Sequence, residues 1–202
     1  MKILFSGDSI TDAKRDREDL YSLGDGYAKH AADLIKKAFP DTIFEFINTG
    51  ISGDKAENVR ARLDTDCIIH NPDIFSIMVG INDTWHFAEK EEWMPNEHFE
   101  RCYRDILSRV KKETHAKIIM LEQFLLPAPD KDFLRVDLNP KIDITRTLAR
   151  EFADVFIPLD GIFAAACVEK EPAYWADDGI HPTGAGAKLM AEHYVNAFKK
   201  TV

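Results

Sequence analysis

Ile74-Phe75-Ser76-Ile77-Met78-Val79, closed by Gly80-Ile81-Asn82-Asp83, is the most apolar strand candidate in the chain. A short, nearly continuous apolar run ending in turn formers suits a strand buried on both faces rather than one half open to water. Comparable runs occur at 3–5, 43–47, 118–121 and 155–159. Between them apolar residues recur at helical spacing: Tyr27, Ala31, Leu34, Ile35 and Ala38; Ala56, Val59 and Leu63; Phe99, Tyr103, Ile106 and Val110. Asp54 with Glu57 three residues on reads as a capping box. Thr183 after Pro182 reads as the cap of a last helix that buries Ala187, Met190, Ala191, Tyr194 and Phe198. Strands alternating with helices predict a three-layer α/β fold with a five-stranded parallel sheet, because parallel neighbours need crossover helices and those cover both faces.

The 202 residues fit one domain, read here as 1–202, with one irregular Pro-containing insertion at 126–140. Hydrophobic residues at 45% supply a core, and the net charge of -9 disfavours nucleic acid and anionic membrane surfaces as partners. Three separated cysteines, Cys67, Cys102 and Cys167, form no C-x-x-C pair. No apolar run has the length of a membrane span, and Met1-Lys2-Ile3-Leu4-Phe5 turns polar at Ser6, too soon for a secretory leader. The expected location is the cytoplasm.

In parallel α/β sheets the groups that act on ligands gather beyond the carboxyl ends of the strands. After the first strand stands Gly7-Asp8-Ser9-Ile10-Thr11, a tight turn that would present the Ser9 hydroxyl. It is not the G-x-S-x-G elbow, since position 11 is threonine. A serine nucleophile needs a base, and the base needs a carboxylate to fix its tautomer. Asp178-Gly179-Ile180-His181-Pro182 offers both: Asp178 reaches Nδ1 of His181 across a turn and leaves Nε2 for Ser9. Acyl transfer also needs donors to a developing oxyanion, and the N–H of Gly53, the Asn82 amide and the N–H of Ser9 are candidates. Each of these segments taken alone is equally an ordinary turn. Their joint presence at strand ends and before the last helix is what points to catalysis.

Taken block by block and in order, Gly7-Asp8-Ser9-Ile10, Gly53, Gly80-Ile81-Asn82-Asp83 and Asp178-x-x-His181 resemble the GDSL or SGNH hydrolases over nearly the whole chain, with Ile10 where that family has leucine. The resemblance implies a flavodoxin-like sheet of order 2-1-3-4-5, no metal and no cofactor. It implies Ser9 as nucleophile, His181 as base and then acid, Asp178 as its orienter, and Ser9, Gly53 and Asn82 as the oxyanion hole.

Leu23-Gly24-Asp25-Gly26-Tyr27, Gly50-Ile51-Ser52-Gly53, 76–85 and Trp175 are further similar to bacterial acetylxylan esterases of that family. This implies deacetylation of a xylo-oligosaccharide, a small acetylated sugar as partner, and assembly as a homo-oligomer. Thioesterases and lysophospholipases of the family share the same catalytic groups and remain open. The candidate substrate contacts are Asp8, Tyr21, Asp83, Trp85 and Trp175, the aromatics because flat rings suit the C–H faces of sugars.

Two other classes fit these residues less well. A non-catalytic sugar-binding module would leave Asp178 and His181 without a purpose, and a Mg²⁺-dependent receiver built on Asp8, Asp83 and Asp160 would leave Ser9 and His181 unused. The other histidines and the charge run at 89–92 are read as surface features.

Overall fold

The structure, a computed structural model, describes residues 1–88 and 92–202, so of the charge run at 89–92 all but Glu92 lies outside the described residues. Five strands, β1 (Lys2–Gly7), β2 (Glu45–Asn48), β3 (Ile74–Met78), β4 (Lys117–Leu121) and β5 (Val155–Ile157), pair in parallel in the order β2-β1-β3-β4-β5. The first strand is interior: Leu4 lies beside Ile47 on one side and Phe75 on the other. The chain therefore winds outward in opposite directions from β1, and the loops after β1 and β3 part to leave a crevice at their carboxyl ends.

The helices are α1 (Ser9–Asp12), α2 (Tyr27–Ala38), α3 (Ala56–Ala61), α4 (Leu63–Asp66), α5 (Ile81–Ala88), α6 (Asn96–Glu113), α7 (Arg135–Phe152), α8 (Leu159–Ala166), α9 (Pro172–Trp175) and α10 (Gly184–Phe198). Side chains alternate across the strands and build a core on each face. On one face Ile3, Phe5 and Met78 meet Tyr27, Ala31 and Ile35 of α2 and Met190, Tyr194 and Phe198 of α10. On the other Leu4, Phe75 and Ile77 meet Val59 of α3 and Phe99, Tyr103, Ile106 and Val110 of α6.

Several boundaries differ from the sequence reading, each for a local reason. β2 starts at Glu45, and Ile43 is 88% exposed. β5 stops at Ile157 because Pro158 has no N–H for the ladder, and Leu159 opens α8 instead. The periodic run of Ala56, Val59 and Leu63 is two short helices that break at Arg62, whose guanidinium binds Asp54, Asp66 and the carbonyls of Thr49 and Gly7. Lys55, not Asp54, caps α3, with Asn58 Oδ1 accepting its N–H at 3.0 Å. Leu34 sits at the rim of the α2 face, 37% exposed.

The expected irregular insertion at 126–140 is largely helical: a 3₁₀ turn at Asp132–Leu134 leads into α7, and Pro140 lies within that helix on its exposed side. The helix tolerates the lost N–H because Leu138, Ile142 and Leu134 are buried beneath it. They form a third cluster with Ile81, Leu125 and Ile180, which clamps α5 and the residue before His181.

Candidate active site

The site begins where β1 ends. Asp8 caps α1, its Oδ1 accepting the Ile10 N–H at 3.0 Å, so Ser9 opens the helix with its side chain at the crevice. From the far end of the chain the turn before α10 delivers Asp178 and His181, and that helix is itself capped by Thr183, as the sequence predicts. Asp178 uses both oxygens. Oδ1 accepts the backbone N–H groups of Ile180 at 2.9 Å and His181 at 2.7 Å, and Oδ2 lies 2.7 Å from Nδ1 of His181. Nε2 of His181 lies 2.8 Å from Ser9 Oγ. Burial would raise the Asp178 pKa, but the His181 N–H, the imidazole and the Ile180 N–H outweigh it and hold this carboxyl below the usual carboxylate range. It is therefore held as an anion. Hydroxyl, imidazole and carboxylate thus form one hydrogen-bonded line, the arrangement that lets a hydroxyl lose its proton as it attacks.

Hydrogen-bond donors flank this line. Gly53 takes a φ of 89°, a left-handed backbone suited to glycine, and neither its N–H nor that of Ser9 donates to any group among the described residues. Asn82, in the first turn of α5, is buried and spends one amide proton on Asp54 O at 3.0 Å, which leaves a second. The Gly50–Gly53 segment is pressed against α1: a Cβ on Gly50 would stand 2.5 Å from the Asp12 nitrogen.

Asp12 fastens that approach. It is buried, and its Oδ2 accepts the Ser52 N–H at 2.9 Å and Arg17 Nε at 3.0 Å. Sequence reasoning passed over Asp12 and Arg17. The available signal was the three-residue step from Ser9, which puts Asp12 on the same side of the helical turn.

A cavity of about 530 Å³ opens from Ser9 and His181 between α1 and the start of α10. Its wall is mixed, with the polar side chains of Asp12, Lys14, Arg17, Asp25, Ser52 and Thr183 set beside Ile10, Ala13, Pro182 and Ala187. Of the candidate substrate contacts, none lines it. Trp85 stands beside His181, its ring centre 6.0 Å from that of the imidazole. Trp175 is a packing residue, with Nε1 donating to Ala166 O at 3.2 Å. Tyr21 lies outside the cavity and is 62% exposed. Asp160 pairs with Arg135 at 2.7 Å.

Asp8 and Asp83 are buried supports beneath the site. Both oxygens of Asp83 face the Ala56 N–H at the start of α3, and Asp8 Oδ2 has no partner among the described residues. Burial, helped by the nearby Asp83 and Asp54 charges, pushes the Asp8 carboxyl up to about 7 against the Ile10 N–H that opposes it. In the unfolded chain the same group ionises near 3.8. Between those values the folded protein keeps a proton that the unfolded chain has released, so stability falls as pH rises through that window and levels off above it. Asp8→Asn keeps the cap and carries no charge. Its urea midpoint should fall less than that of the wild type from pH 4 to pH 8, by the equivalent of a few kcal/mol at about 1.4 kcal/mol per unit. Parallel pH curves for the two proteins would contradict this.

Comparison with protein-family models matches residues 5–189 to the GDSL-like Lipase/Acylhydrolase family. An acetylxylan esterase of Geobacillus stearothermophilus is 29% identical over 202 residues, covering 96% of this chain and 92% of the relative. Among solved structures, a candidate GDSL-like lipase from Parabacteroides merdae is similar with a TM-score of 0.91 and 31% identity, over 98% of this chain and 95% of that one. A catalytic mutant of the Geobacillus esterase, with alanine in place of a serine, matches with a TM-score of 0.88 and 28% identity, over 97% and 93%. Alanine variants of that esterase at an aspartate and at a histidine are likewise described as catalytic mutants.

Proposed function

Since the chain belongs to the GDSL-like lipase/acylhydrolase family and is a carboxylic ester hydrolase, we propose that it is a serine esterase that removes acetyl groups from a carbohydrate such as a xylo-oligosaccharide. The observation that carries this reading is the line Ser9 Oγ, His181 Nε2, His181 Nδ1, Asp178 Oδ2, with contacts of 2.8 and 2.7 Å, at the mouth of the cavity.

Ser9 Oγ attacks the ester carbonyl carbon while its proton passes to Nε2 of His181. Asp178, held anionic, faces Nδ1–H and stabilises the imidazolium. The carbonyl oxygen, now negative, takes hydrogen bonds from the N–H groups of Ser9 and Gly53 and the remaining amide proton of Asn82. The tetrahedral species collapses, the C–O bond to the sugar breaks, and His181 returns its proton to the leaving alcohol. Water then repeats the sequence on the acetyl-enzyme, releases acetate and restores Ser9.

Two things support a small acyl group on a polar carrier. One is the similarity to an acetylxylan esterase over most of both chains. The other is the cavity wall, where a lipid tail would displace water from the charged side chains of Asp12, Lys14, Arg17 and Asp25. A panel of acetylated sugars, longer-chain esters and acyl thioesters tests this: kcat/KM should be highest for acetyl sugars, and a preference for long acyl chains or thioesters would sink the substrate class.

If Asn82 is an oxyanion donor, Asn82→Ala should lower kcat on the order of 10²-fold with KM little changed, because the lost bond belongs to the transition state. A loss confined to stability would leave Asn82 only the role of tying α5 to Asp54.

A further inference from the structure

We propose that a depression next to the Ser9 cavity, lined by Lys14, Tyr21, Asp25, Lys29 and Asp33, is a second sugar subsite that holds a unit of the substrate beyond the acetylated one. The inference rests on the sugar-ester reading above and adds to it a binding site and a preference for chains over single sugars.

Three observations carry it. First, the depression is a neighbour of the catalytic cavity: Lys14 and Asp25 belong to the walls of both, so they stand as a ridge between Ser9 and Tyr21. A chain entering the cavity from this side crosses that ridge. Second, the ridge is fixed. The Asp25 N–H donates to Ala13 O at 2.8 Å, and Ala13 and Lys14 take positive φ values of 44° and 62°. Left-handed backbone at residues other than glycine is costly and persists where its surroundings enforce it, as in ligand clamps.

Third, the lining suits a neutral polyhydroxylated ring. Tyr21 is left 62% exposed instead of joining the core, while its backbone N–H is tied to Asp19 Oδ1 at 2.9 Å. The exposed ring offers an apolar face for sugar C–H groups. Around it two carboxylates, Asp25 and Asp33, accept from hydroxyls, and two ammonium groups, Lys14 and Lys29, donate to them. Lys36 also borders the depression but its ammonium sits 5.3 Å from the centre of the Phe46 ring. A polyanion would meet two carboxylates among the ammonium groups, and an alkyl chain would meet five charges. The volume of about 400 Å³ accommodates a small-molecule group.

The test is kcat/KM for acetylated xylo-oligosaccharides of one to four units, with the wild type and Tyr21→Ala. The wild type should gain with chain length, and Tyr21→Ala should reduce the ratio of longest to shortest substrate by about ten-fold, the scale of one aromatic contact. Tyr21→Phe should keep the ratio, since the ring face does the work. Calorimetric titration of unacetylated xylotetraose reads the subsite without turnover and should show binding to the wild type that weakens in Tyr21→Ala. Ester turnover that is indifferent to chain length, or a length effect that survives Tyr21→Ala, overturns the subsite. Absence of sugar-ester turnover overturns the substrate reading instead, and the titration then decides the subsite alone.

Discussion

Replacing Ser9 by alanine is expected to lower turnover of an aryl acetate by roughly 10⁴- to 10⁶-fold, the range seen when a serine hydrolase loses its nucleophile. Among the described residues the Ser9 side chain makes one hydrogen bond, to His181 Nε2, and the turn around it is held by other atoms: Asp8 Oδ1 on the Ile10 N–H and Ser9 O on the Ala13 N–H. Removing the hydroxyl therefore deletes chemistry without touching the cap. The urea midpoint should match the wild type to within about 0.5 kcal/mol, as for a substitution outside the packed core. Residual turnover from the oxyanion donors and His181 is expected, so the rate should stay above that of buffer. A variant with ordinary turnover would place the nucleophile elsewhere.

Asp178→Asn should cost nearly as much, about 10⁴-fold, and for a reason of proton placement. Oδ1 of Asp178 accepts two backbone N–H groups, from Ile180 and His181. In the variant the amide oxygen must take that position, which turns the NH₂ toward Nδ1 of His181. An N–H facing Nδ1 forces the proton onto Nε2, the atom 2.8 Å from Ser9 Oγ, and the imidazole can no longer accept from the serine. The turn keeps both backbone bonds, so stability should change little. Asp178→Ala loses them as well and should add a stability loss of about 1 kcal/mol or more. Kinetics of the two variants compared with their melting curves separate the catalytic from the structural share, and an Asp178→Asn enzyme with near-normal kcat would remove Asp178 from the scheme.

How far the sequence could be read depends on the range of the interaction involved. The Asp178 to His181 contact spans three residues and one turn, so its geometry was legible from spacing alone. The Ser9 to His181 contact spans 172 residues, and could be anticipated only through the rule that parallel strands bring their following loops to one edge. The interior of the sheet was equally plain because Ile74 to Met78 is buried throughout. What escaped was decided by tertiary context. Pro140 suggested a loop, but the apolar face of α7 packs on α5 and overrides one missing N–H. Leu159 looked like a strand continuation until Pro158 ended the ladder. The Asp54 cap failed because Arg62, eight residues on, competes for its carboxylate. Trp85 and Trp175 flank the motif residues in sequence, yet Trp85 stands beside His181 outside the cavity and Trp175 closes a packing contact. Sequence proximity to a motif does not say which side of the site a ring faces.

The fold also accounts for the order of the site. Clusters on both faces of the sheet fix β1 and β3, and a third cluster joins α5, α7 and Ile180, so the elements carrying Ser9, Asn82 and His181 are each anchored by apolar packing. Asp12 then ties the Ser52 backbone to α1 across the crevice. Positioning is thereby left to rigid elements, with few free torsions between the core and the reacting atoms.

The most direct measurement of the central claim is to label the wild-type protein with a serine-reactive fluorophosphonate and locate the adduct by peptide mass spectrometry. A single adduct on Ser9 is expected, formed rapidly in the wild type and very slowly in His181→Ala, where no imidazole takes the proton. An adduct on another residue, or labelling of Ser9 that is indifferent to the loss of His181, would contradict it.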